Sequence, residues 1–220
     1  MFEAQNIAHL KNDWISLVFF IILIILAIIK FQFNDRLQQT ATFFLSKKKL
    51  LTYFNKEKNI FNNLYQLLFF TVQLLTISLL IYFLSTFLQV NNKLSDVKLF
   101  FAIIIIVFLY FTFRFLIGLF IAAVFDQIYV FKKAAYFKMN YFNNLVLCLI
   151  PFLLLTAYSK NLTIFFLKIT VFSCILFLLI RYFLFIKNNK KLIINNLFYF
   201  ILYLCALEIV PLVIILKLTL

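Results

Sequence analysis

LFFAIIIIVFLYFTFRFLIGLFIAAVF, residues 99–125, carries one charged side chain, Arg114. A stretch this long and apolar crosses the ~30 Å hydrocarbon core of a bilayer as a helix, because only a helix satisfies its own backbone polar groups there. Similar windows recur from end to end, at about 14–29, 64–88, 141–158, 162–186 and 192–217. Six such spans predict an all-α polytopic membrane protein, a six-helix transmembrane bundle with cytoplasmic interfacial helices. No stretch is long and hydrophilic enough for a separate soluble domain, so residues 1–220 read as one transmembrane domain. Only Ser159, Lys160 and Asn161 separate the fourth and fifth spans, which predicts a tight antiparallel hairpin.

Composition agrees with this reading. The chain of 220 residues is 66% hydrophobic and 13% charged, with mean hydropathy +1.08. Soluble domains average nearer half apolar and a quarter charged. The leading segment FEAQNIAHLKND, residues 2–13, is polar and partly acidic with no small-residue cleavage site, which reads against a cleaved signal peptide. Phe occurs 33 times and Gly once, at Gly118. So little glycine gives poor support to transporter-like helices that pack or hinge on small residues. The abundance of Phe, Ile, Asn and Lys equally matches an AT-rich genome. Cys148, Cys174 and Cys205 sit in separate apolar spans without metal-ligand spacing, and read as small apolar fillers.

Charge sets the expected orientation. The connector 30–63 holds Lys30, Arg36, Lys47, Lys48, Lys49, Lys56 and Lys58; the loop after span 3 adds Lys132, Lys133 and Lys138; the loop after span 5 adds Lys187, Lys190 and Lys191. These three loops share one face and carry 13 of the 21 basic residues. The positive-inside bias then makes that face cytoplasmic and places both termini outside. The net charge of +14 is therefore read as topology and attraction to anionic headgroups, with no nucleic acid as partner. The connector mixes Phe43, Phe44, Leu45, Leu50, Leu51, Tyr53 and Phe54 with lysines, as an amphipathic segment lying on the inner leaflet would. It either anchors to lipid or docks a partner. Residues 126–144 carry a similar mix and are expected to help form a cytoplasmic collar.

Two charges lie deep in spans. Arg114 precedes Asp126, which ends the third span, by twelve residues, ~18 Å of helix, which puts it near the midplane. Glu208, in LYLCALEIVPLVIILKL (residues 202–218), lies twelve residues beyond Asn196, at similar depth. Burying either charge alone is expensive, so an Arg114–Glu208 ion pair is expected, either structural or part of a proton or substrate site. Pro211 and Pro151 lack the N–H that would bond Leu207 and Leu147, so both spans are expected to break or kink. Lys168 and Arg181 lie close enough to span ends to snorkel, as interface anchors or lipid-phosphate ligands. Lys47, Lys48, Lys49, Lys132 and Lys133 read as headgroup contacts.

The absences constrain chemistry. His9 is the only histidine and precedes the first span, which excludes a bis-histidine haem or a copper centre within the spans. There is no glycine-rich phosphate loop, paired carboxylate or nucleophile elbow. No cofactor or metal is expected, and nothing asks for an enzyme, although an arginine and a carboxylate suffice to handle a lipid phosphate.

FRFLIGLF (113–120), FKMNYFNNLVLCLIPFLLLTAYS (137–159) and FYFILYLCALEIVPLVIILKLT (198–219) resemble an uncharacterised integral-membrane family of Bacteroidetes, domain of unknown function 4271. The resemblance runs from the first span to the C-terminus and is most specific at CALEIVP, Cys205–Pro211. It implies a Gram-negative inner membrane with periplasm outside, and brings no activity, substrate or catalytic residue.

Three functions follow from these readings. The leading one is a non-catalytic accessory or scaffold subunit packed against other inner-membrane proteins. The second is a small transporter, or a proton- or ion-coupled protein, using Arg114 and Glu208; no internal repeat about Ser95 supports it. The third is a lipid-binding or lipid-modifying protein acting at headgroup level.

Overall fold

A computed structural model of the chain describes residues 13–41, 64–88, 95–159 and 162–188. Among these residues every regular element is a helix: α1 (Asp13–Gln32), α2 (Asn34–Ala41), α3 (Leu64–Phe87), α4 (Asp96–Val124), α5 (Ile128–Tyr158) and α6 (Thr163–Asn188). All except α2 are long and apolar enough to cross a membrane, as expected of a multi-pass membrane protein. The sixth expected span, with Glu208 and Pro211, lies outside the described residues. So do Lys47, Lys48, Lys49 and most of the connector.

Local sequence accounts for the helix ends. Asp13 in the first turn and Lys30 in the last complement the dipole of α1. Its buried residues Ile15, Val18, Phe19, Ile22 and Ile29 recur at helical spacing, while Leu17, Phe20 and Leu23 on other faces are equally apolar and exposed. A helix apolar all round suits a lipid surrounding. At the start of α4, Ser95 is extended and its carbonyl takes the first helical bond, from Leu99 N at 2.9 Å. At the other end Asp126 adopts φ 53°, and Gln127 N bonds back to Ala122 O at 2.8 Å. This left-handed turn, which Asp tolerates better than most residues, reverses the chain within Phe125–Gln127.

The largest departure from expectation lies just beyond that turn. Residues 126–144 do not form a separate collar: α5 begins at Ile128 rather than near Tyr141 and runs unbroken to Tyr158. Its first half buries Phe131, Tyr136, Phe137, Lys138, Asn140, Tyr141, Asn143 and Asn144. The polar residues that argue for a loop in the sequence are instead packed against neighbouring helices. Pro151 is exposed inside α5, and the helix continues for two more turns past it. The expected break is therefore absent; in membrane helices neighbouring helices and local backbone adjustment accommodate a proline.

The principal core joins Ile15, Val18, Phe19 and Ile22 of α1, Val72, Leu79 and Tyr82 of α3, Leu99 and Phe100 of α4, and Leu145, Val146, Leu149, Ile150 and Leu153 of α5. Trp14, partly buried near the start of α1, packs against this core. Its ring meets Tyr82 edge-on at 4.9 Å and Phe100 at 5.0 Å. The α5–α6 pair has the most extensive packing, consistent with the expected hairpin. α5 also touches α2, α3 and α4 and is the hub of the bundle, whereas α4 and α6 leave most of their surface uncovered.

Candidate functional site

α5 presents polar side chains in two directions, and each meets a different neighbour. On one side, Asn144 Nδ2 donates to Thr40 O at 2.7 Å, and Cys148 Sγ lies 3.7 Å from Asn144 Oδ1. The Thr40 hydroxyl bonds Arg36 O at 2.8 Å and shares a hydrogen bond with the Tyr65 hydroxyl. Arg36 in turn lies 5.8 Å from the ring centres of Phe33 and Tyr65. This network fixes α2 to α5 and explains why a short polar helix stays docked.

On the other side, Gln73 Nε2 of α3 donates to Asn143 Oδ1. Gln73 is also one wall of a cavity of about 380 Å³ between α3, α4 and α5. Helical spacing builds its lining: Gln66, Phe70 and Gln73 from α3; Phe108, Phe111, Arg114 and Phe115 from α4; Phe131, Lys138 and Phe142 from α5. Phe70 stands edge-on to Phe108 and Phe111 at 6.2 and 6.1 Å, and Phe111 to Phe142 at 5.9 Å. The walls are thus aromatic, and the polar groups are few and convergent, the usual make-up of a ligand site. Lys138 is 8% exposed and Arg114 is half-buried. At the mouth, Leu67 is 61% and Phe108 46% exposed, so the cavity opens through the apolar belt of the bundle.

The shared lining also sets Arg114 beside residues of two other helices. Gln66 belongs to the first turn of α3, about 32 Å of helix from Phe87. Lys138 is about 30 Å from Tyr158 and Arg114 about 27 Å from Asp96, counted along their own helices. The three residues therefore stand at nearly one level, close to where α3 begins. Beyond Arg114, exposed Leu116, Phe120 and Val124 continue the apolar surface of α4 towards the Asp126 turn.

Other expected residues lie elsewhere. Lys168 is exposed on α6, far along the chain from the cavity lining. Lys132 is exposed and Lys133 half-exposed in the first turns of α5. Arg181 belongs to the α6 backbone. A second cavity, of about 530 Å³, lies between α1, α3, α5 and α6, with Tyr82, Thr86, Thr156 and Leu167 in its lining and no charged residue. Fully buried Val72, Thr76, Ser78, Leu79, Val146 and Leu149 fill the bundle between these levels. Among the described residues no three His, Cys, Asp or Glu side chains group as metal ligands would.

Lys138, Gln66 and Gln73 went unnoticed in the sequence as site residues. Gln66 and Gln73 are seven apart, hence on one face of a span. Phe131, Ala135, Lys138 and Phe142 keep helical spacing across what reads as a loop. These registers carry the signal.

The arrangement coincides with much of FRFLIGLF and FKMNYFNN, the stretches that carry the family resemblance. The chain belongs to the family described as a domain of unknown function, DUF4271. The DUF4271 match covers residues 15–219, which includes every residue of the cavity. No curated protein and no solved structure matches the chain.

Proposed function

We propose that this protein is a non-enzymatic membrane protein that holds an anionic phospholipid in the cavity between α3, α4 and α5. The observation that carries the reading is the placement of Arg114 and Lys138 at one level of an otherwise aromatic cavity with an apolar mouth. An arginine stays charged at any working pH and bonds phosphate oxygens in a fork, while a lysine adds a second positive charge. The exposed apolar mouth admits an acyl chain from the surrounding bilayer. Positive-inside charge bias assigns this level to the cytoplasmic leaflet of a bacterial inner membrane, with the connector lying on it and both termini periplasmic.

Lipid-binding mass spectrometry of the detergent-purified protein tests the reading. The wild type is expected to retain an anionic phospholipid in preference to phosphatidylcholine. Arg114→Gln and Lys138→Gln are each expected to weaken retention about tenfold, the effect of losing ~1.4 kcal/mol of charge-assisted bonding. Equal retention of anionic and zwitterionic lipid by the wild type sinks the proposal.

A second reading, a scaffold subunit, draws support from the uncovered face of α4, where Phe101, Ile105, Leu109, Phe113, Leu116 and Phe120 are all exposed. Mild-detergent purification that yields stoichiometric companions, lost on polar substitution along that face, would favour it. A third reading, a transporter using an Arg114–Glu208 pair, draws support from the buried polar residues Gln73, Thr76, Ser78 and Asn143, and loss of transport on Arg114→Gln without loss of folding would favour it.

A further inference from the structure

We infer that Gln66 selects the lipid headgroup, favouring an anionic phosphodiester whose outer substituent carries hydroxyl groups, of which phosphoglycerol is the simplest. The inference rests on the phospholipid reading above and adds a recognition residue that the charges alone do not require. Gln66 is 4% exposed and lines the cavity, yet its Oε1 has no hydrogen-bond partner among the described residues. A buried amide oxygen without a donor is uncommon in folded proteins, and a cavity beside it is where its donor would come from.

Two features narrow the donor's identity. Gln66 is in the first turn of α3, at the level of Arg114 and Lys138, so a lipid phosphate held by the cations puts its outer substituent within reach of the amide. A substituent bearing an ammonium, such as ethanolamine or choline, brings its positive charge beside two cations and is disfavoured. A phosphomonoester has no substituent at all. A hydroxylated substituent supplies donors for Oε1 without added charge, and the amide N–H₂ of Gln66 can donate to a second hydroxyl. The sequestered position raises the selectivity, since a site built to bond a hydroxyl rejects the analogue that lacks it more strongly than the reverse.

Phosphatidylglycerol and phosphatidylmethanol separate the two terms, because they share the phosphodiester charge and acyl chains and differ in the hydroxyls. In nanodiscs doped with one or the other, wild-type protein is expected to bind phosphatidylglycerol about tenfold more tightly. Gln66→Met, which keeps the side-chain volume, is expected to abolish that ratio while leaving the affinity for phosphatidylmethanol within about twofold. Gln66→Glu keeps an acceptor but adds a negative charge, and is expected to weaken both lipids. If neither lipid binds better than phosphatidylcholine, the phospholipid reading itself falls. If both bind tightly and equally, or if Gln66→Met keeps the ratio, only the headgroup inference is overturned. Should Gln66→Met fail to fold, the wild-type ratio decides alone.

Discussion

Single residues in this protein do work that their type alone does not announce. Asp126 takes the left-handed conformation that turns α4 into α5, and its side chain is exposed. Asp126→Gly is therefore expected to leave the melting temperature in detergent unchanged or raise it. Asp126→Val, which crowds a positive φ, is expected to cost about 1–2 kcal/mol. A melting temperature indifferent to both would show that the turn carries no such demand. Asn144 is the polar clamp on α2. Asn144→Leu strands the Thr40 carbonyl, at about 1–3 kcal/mol, and is expected to speed amide exchange across residues 34–41 while the core of α5 stays protected. Arg114 shows the limit of reading residues singly. The sequence identifies it as an anomaly, but the cavity it lines is built with residues of two other helices, and no count along its own span can supply them.

Among elements, the long apolar windows located the helices well. The expected spans at 14–29, 64–88, 99–125 and 162–186 differ from α1, α3, α4 and α6 by only a few residues at either end. Those helices face lipid over much of their surface, so hydropathy is the physical quantity that defines them. α5 failed the same test for a physical reason. Its first half is buried in protein, where Asn143 and Asn144 bond Gln73 and Thr40 of neighbouring helices and Asn140 bonds Tyr136 O of its own, and there apolarity is no longer required. The cavity was hidden for the same cause: its polar wall lies in the element whose membrane signature is weakest. Pro151 erred the other way, since a residue that removes one backbone bond announces a break more loudly than a packed helix obeys it.

For the whole molecule, the orientation inferred from charge makes the most direct prediction. Lys132→Cys, exposed at the start of α5, is expected to react with a membrane-impermeant maleimide in inverted vesicles and not in intact cells. Thr163→Cys, exposed at the first residue of α6, is expected to show the opposite pattern, each read against the unsubstituted chain. Reversed labelling would move the cavity to the outer leaflet and change which lipids it meets.

The contrast between α4 and α5 also bears on how the protein is made. α4 is apolar almost throughout and little covered by its neighbours, so it is stable in a bilayer by itself. α5 is not, because its asparagines and Lys138 need partners before they can leave water. Two of those partners, Thr40 on α2 for Asn144 and Gln73 on α3 for Asn143, precede α5 in the chain. Synthesis from the N-terminus therefore delivers the receiving surface first and the polar helix second, so that α5 enters the membrane alongside protein already waiting for it.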